Sequence, residues 1–164
     1  MMKNLLYLLL FLSQAVLAQA EYVRNTEVLV FSFETNKGKK VVLAKDMGDK
    51  YLVYRFGTKD KIEMEFPGDI QNSWSKFKYS YYRRGGGKAN AGVEIQNIIF
   101  ENNGFKYVIY YNYSAEEDEQ TVGVLVMNEA TGKDIKIVGD TDTVEGSLME
   151  IREGGLLEMA DEMY

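Results

Sequence analysis

From Val28 to Val138, apolar and polar residues alternate with a period of two, in runs of five to ten broken by Gly, Asn and Asp clusters. Successive side chains of a strand point to opposite faces, so this period belongs to half-buried strands and not to helices. Leu29, Phe31 and Phe33 share one face of the first run. Asn36-Lys37-Gly38 turns the chain into a run holding Val41 and Leu43, and Asp46 to Asp49 makes the next turn. Tyr51 to Phe56 is almost wholly apolar, interrupted by Arg55. Ile62, Met64 and Phe66 then alternate with Lys61, Glu63 and Glu65, and Pro67, which cannot donate to a ladder, ends the strand.

The second half repeats the pattern with longer runs. Trp74 to Arg84 sets Phe77, Tyr79 and Tyr81 against Lys76, Lys78, Ser80 and Tyr82. Val93 and Ile95 are out of phase with Ile98 and Phe100, which predicts a bulge near Asn97. Asn102-Asn103-Gly104 is a hairpin signal. Phe105, Tyr107, Ile109, Tyr111 and Tyr113 line one face of the next strand, with Lys106, Val108, Tyr110 and Asn112 opposite. Val122, Val124 and Val126 continue the pattern, Thr131-Gly132 turns it, and Ile135 and Ile137 close it. The expected fold is all-β: a single antiparallel sandwich or small barrel of about eight strands. Helical spacing occurs only at Leu156 to Met163, after Gly154-Gly155, where a short C-terminal helix is expected.

Lys3, the apolar run Leu5 to Leu12 and the small pair Ala18 and Ala20 stand in the order of a secretory signal peptide, placed at residues 1–20, with one β-rich domain over 21–164. The expected location is therefore extracytoplasmic, in the periplasm or outside the cell. That apolar run is shorter than the roughly 20 residues a membrane span needs, and no membrane span is expected after the leader is removed. The chain carries a net charge of -6, which repels phosphate backbones, so no nucleic-acid partner is expected.

With no cysteine and no histidine among 164 residues, thiolate nucleophiles, imidazole triads and Cys or His zinc sites are excluded. Carboxylates remain. Glu63, Glu65 and Glu94 are the acidic residues a two-carboxylate hydrolase would need, yet on alternating strands they read as solvated-face residues, and no catalytic residue is assigned. Asp140 and Asp142 lack the remainder of a calcium loop. No metal and no cofactor are expected.

Two features suggest binding instead. Arg83-Arg84-Gly85-Gly86-Gly87-Lys88 lacks the Ser or Thr and the helix of a phosphate loop, but it gathers Arg83, Arg84 and Lys88 on an otherwise acidic chain. Tyrosine is in excess, with 12 in the chain. Trp74, Tyr82 and Tyr110 stand at positions whose parity opposes the core face, and exposed rings stack on sugars or anchor partners. The candidate ligand-binding set is Trp74, Tyr82, Arg83, Arg84, Lys88 and Tyr110, for a protein or glycan partner. The rival expectations are the carboxylate hydrolase and a structural envelope component.

Tyr51-Leu52-Val53-Tyr54-Arg55-Phe56-Gly57, Lys61 to Pro67, Phe77-Lys78-Tyr79 and Gly104-Phe105-Lys106-Tyr107 resemble a group of periplasmic or secreted β proteins of Gram-negative bacteria. More remotely the chain is similar to periplasmic lysozyme inhibitors, by analogy of small secreted β folds and without their inhibitory motif. The resemblance implies compartment and fold, and it brings no active site. Members of the group often hold a cysteine near the position of Ala44, which this chain lacks.

Overall fold

A computed structural model describes residues 20–164. The leader expected at residues 1–20 lies outside the described residues apart from Ala20. The first sheet is a meander of β1 (Glu27–Glu34), β2 (Lys40–Asp46), β3 (Leu52–Thr58) and β4 (Lys61–Phe66). After a 3-10 turn at Ser73–Lys76 the chain builds a second meander, longest in its three central strands, from β5 (Phe77–Arg84), β6 (Val93–Asn102), β7 (Phe105–Ser114), β8 (Glu119–Asn128) and β9 (Lys133–Val138). The two-residue β10 (Glu145–Gly146) returns to pair with β1. A short helix, α1 (Met149–Gly154), follows, and β11 (Glu158–Met159) adds in parallel to β5. The result is an all-β sandwich of two sheets, ordered β10-β1-β2-β3-β4 and β11-β5-β6-β7-β8-β9, which do not close into a barrel.

The core forms where the alternating apolar positions of both sheets meet. Phe31, Phe33, Leu43, Leu52 and Tyr54 come from the first sheet; Phe77, Tyr79, Ile98, Phe100 and Ile109 come from the second. Phe100 is at its centre, stacked on Phe66 (centroids 4.4 Å apart) and on Tyr107 (4.8 Å) and edge-on to Phe77. Each such pair adds about 0.5–1.5 kcal/mol beyond its buried area. Asn103 and Gly104 both have positive φ, as the hairpin between β6 and β7 requires.

Three sequence expectations are corrected. No register shift occurs in β6, so there is no bulge at Asn97. The irregularities lie between Leu29 and Phe31 and between Phe56 and Gly57. The second of these makes Glu63 an extra residue and turns Ile62 away from Met64 and Phe66 onto the outer face, where it packs with Val42, Ala44 and Val53. Gly57 is needed there because a Cβ would run into the backbone at Lys61 and Glu63. The helix precedes Gly154-Gly155 instead of following it. Gly155, at φ 61°, is the left-handed cap that ends α1, and Leu156 to Met163 hold the two-residue β11 and no helix.

Outside the sandwich, residues 20–26 cross the outer face of the first sheet, where Tyr22 seals the patch formed by Val42, Ala44 and Val53. Beneath this strap Arg55 is fully buried. Its Nη1 and Nη2 donate to both oxygens of Glu27 at 2.5 and 2.8 Å, its Nε donates to Glu65 at 2.6 Å, and Nη1 also donates to the Tyr22 carbonyl at 2.8 Å. Tyr51 donates to Glu27 as well. The one charge that interrupts an apolar strand is thus fully paired, as a buried charge must be.

Candidate functional site

Strands β6, β7 and β8, of ten residues each, are longer than any strand of the first sheet, and this difference leaves part of the inner face only half-buried. On β6 and β7 the inward positions run from buried Phe100, Ile98 and Ile109 to half-buried Tyr111, Tyr113 and Glu94. Glu94 pairs across the ladder with Arg83 on one side and Tyr113 on the other, and Gln96 with Tyr81 and Tyr111. These two rows carry three tyrosines, one carboxylate, one amide and one guanidinium; the Gln96 row still packs against the core, with Gln96 buried and Tyr111 edge-on to Phe31 of β1 at 6.0 Å, while Glu94 and Tyr113 of the next row are only half-buried.

Polarity rises outward along a chain of hydrogen bonds. The buried Tyr79 hydroxyl donates to Gln96 Oε1 at 3.2 Å, Gln96 Nε2 donates to Glu94 Oε1 at 2.8 Å, and Glu94 Oε2 lies 3.8 Å from Arg83 Nε. Burial pushes the Tyr79 hydroxyl well above the usual phenol range against the opposing charge of Arg152, and it raises the Tyr111 hydroxyl as well, with the Glu94 charge adding to the shift at both. Arg152 of α1 lies 4.0 Å over the Tyr81 ring, which stacks in turn on Tyr79. Arg83, Glu94, Tyr113, Ala115 and the glycines of the adjoining loop border an open cleft of about 180 Å³. A cleft this small and open suits one end or one side of an extended ligand, being below the roughly 300 Å³ of pockets that enclose a small molecule.

The six residues expected to bind are dispersed. Arg83 belongs to this inner-face end. Tyr82, 38% exposed, and Arg84 face the opposite side of the same strand. Arg84 donates through Nε and Nη2 to the Ala91 carbonyl at 2.9 and 2.6 Å, closing the glycine loop on itself. Lys88 sits 3.8 Å from Asp118 of the facing acidic turn. Trp74 lies in the 3-10 turn before β5 and not on the strand. It is half-buried against the main core and donates from Nε1 to the Asp49 carbonyl at 2.8 Å.

Tyr110 does point away from the core, yet it is buried at 6% exposure. Its ring lies across Gly123 of β8, where a Cβ would collide with its hydroxyl, and Lys136 covers the ring at 5.4 Å. A tyrosine laid over a strand glycine fills the missing side chain's space, so off-core parity did not translate into exposure. No single patch of Trp74, Tyr82 and Tyr110 exists.

Compared with family models, curated proteins and solved structures, the chain matches none.

The three carboxylates of the hydrolase alternative are not brought together. Glu63 is tied to Lys39 at 2.5 Å and Glu65 to Arg55 and Arg24 on the first sheet, while Glu94 stands on the second. Among the described residues no group of three Asp or Glu side chains is placed to hold a metal ion. A surface cleft of about 460 Å³ lies at the start of the strap among Lys39, Lys40, Lys59 and Glu34, bordered by Ala20. Of these surfaces, the inner-face end joins several partly exposed rings to polar groups.

Of the residues gathered here, the sequence singled out Arg83 for binding and Glu94 only as a carboxylate of the hydrolase alternative, and it passed over Tyr81, Gln96, Tyr111, Tyr113 and Arg152. A signal was present. The phase change between Val93/Ile95 and Ile98/Phe100 marks the position where β6's inner face stops being core and becomes polar at Gln96 and Glu94.

Proposed function

We propose that this chain is an extracytoplasmic, non-catalytic β-sandwich domain that holds a glycan chain against the inner-face end of its second sheet. The observation that supports this reading is the conjunction of Tyr81, Tyr111 and Tyr113 with Glu94, Gln96 and Arg83 on two adjacent ladder rows. Apolar sugar faces stack on tyrosine rings, and ring hydroxyls satisfy carboxylate, amide and guanidinium groups. Gln96 and Glu94 are already held by hydrogen bonds, Gln96 with Tyr79 and Glu94 with Gln96, so that part of the surface is arranged before a ligand arrives, while the exposed Arg83, 3.8 Å from Glu94, offers its donors to a ligand. The signal-like leader and the resemblance to secreted β proteins support the compartment in which such chains occur.

The test is retention of purified protein, lacking the leader, on immobilised bacterial polysaccharides including peptidoglycan. Wild type is expected to be retained, with Tyr113→Ala and Glu94→Gln each weakening retention at least tenfold. Absence of retention on every polysaccharide, or retention that both substitutions leave unchanged, overturns the proposal.

A further inference from the structure

Strand β9 is the outermost strand of the second sheet, and five of its six residues are exposed. Ile135 is 62% exposed although it stands on the inner face, in ladder register with Val126, because the first sheet does not reach over this edge. An exposed edge strand is a template for pairing with another strand.

The direction of its free backbone groups can be read from two bonds. The Val138 carbonyl accepts from Asn36, away from β8, whereas the next residue, Gly139, donates back to Val122. By alternation Lys136 and Asp134 also turn their N–H and C=O groups outward, and Ile135 and Ile137 turn theirs toward β8. Among the described residues the unpaired stretch is therefore 133–137, ending where Asn36 occupies Val138 and where the Thr131-Gly132 turn bends away.

We propose that this edge pairs antiparallel with the same edge of a second copy of the chain about a two-fold axis through Ile135. That register sets Ile135 opposite Ile135 in a non-hydrogen-bonded pair and Asp134 opposite Lys136 twice, in hydrogen-bonded pairs whose four backbone groups on each side already face outward. The charges are complementary in this register, the exposed isoleucines meet at the axis, and the pairing is isologous as a two-fold contact requires. The β9 edge carries the proposal alone and does not depend on the glycan-binding surface.

Sedimentation velocity on the purified chain is expected to show a concentration-dependent dimer. Asp134→Lys should abolish it by opposing like charges, and the double variant Asp134→Lys/Lys136→Asp should restore it. In a chain without cysteine, Ile135→Cys offers a second readout. The non-hydrogen-bonded pair brings the two Cα atoms to about 4.5 Å, within the span of a disulfide, so mild oxidation should give a covalent dimer faster than Met47→Cys, an exposed control. A wild type that stays monomeric while Ile135→Cys cross-links no faster than the control overturns the proposal. So does a dimer indifferent to Asp134→Lys, or an edge that pairs only with a foreign peptide.

Discussion

The outer face of the first sheet and the inner-face end of the second each hold an arginine beside a glutamate, and they treat the pair in opposite ways. Arg55 and Glu27 are wholly buried under the strap, with several hydrogen bonds to each. Arg83 and Glu94 stand 3.8 Å apart, with the arginine largely exposed. A buried charge must be matched atom by atom or it destabilises the fold, whereas an exposed pair at that distance contributes little to stability and leaves donors and acceptors for a ligand. The first arrangement is architecture, and the second leaves groups available at a surface.

The contrast can be broken in four measurements. Arg55→Ala should cost about 3–5 kcal/mol in urea unfolding, because it leaves Glu27 buried and unpaired. Next, Gly123→Ala should cost about 1–3 kcal/mol, because the new methyl collides with Tyr110 and the Ile137 carbonyl and lifts the ring from its place. Third, acid should weaken the sealed region. Burial raises the Glu27 pKa, but the Arg55 hydrogen bonds and the bond from the Arg24 N–H outweigh it and hold the carboxyl below its usual range. Its contribution is then fully present above the ordinary glutamate value, roughly 4.3, and is lost as pH falls through the depressed value. A Glu27→Gln variant should lose less stability over the same interval. Last and smallest, Arg83→Ala should change stability by no more than about 0.5 kcal/mol, and thereby separate a surface residue from a structural one.

Most of the fold was legible because burial of one strand face imposes a period of two. Asn36-Lys37-Gly38 and Asn102-Asn103-Gly104 marked two of the turns, and Phe77/Tyr79 against Lys76/Lys78 marked the core side of β5. What escaped the sequence depends on partners distant along the chain. Arg55 looked like an interruption because Glu27, Glu65 and the Tyr22 carbonyl, which satisfy it, lie on other segments. Tyr110 looked exposed because its burial depends on Gly123 and Lys136 on two later strands. The inner-face end escaped because alternation assigns Tyr81, Tyr111 and Tyr113 to the core side alike, and only the packing of the two sheets shows that Tyr81 and Tyr111 stay against the core while Tyr113 and Glu94 lie at its half-buried margin.

The most direct test is a two-dimensional NMR titration of isotopically labelled protein with a soluble fragment of whichever polysaccharide retains it. The account predicts that the amide signals of Glu94, Gln96, Tyr111 and Tyr113 and the Gln96 side-chain signal move together, while those of the strap, Arg55 and β9 hold still. Perturbations centred on the strap, on β9 or on the Tyr82 face, with the Glu94–Tyr113 row unmoved, would contradict it.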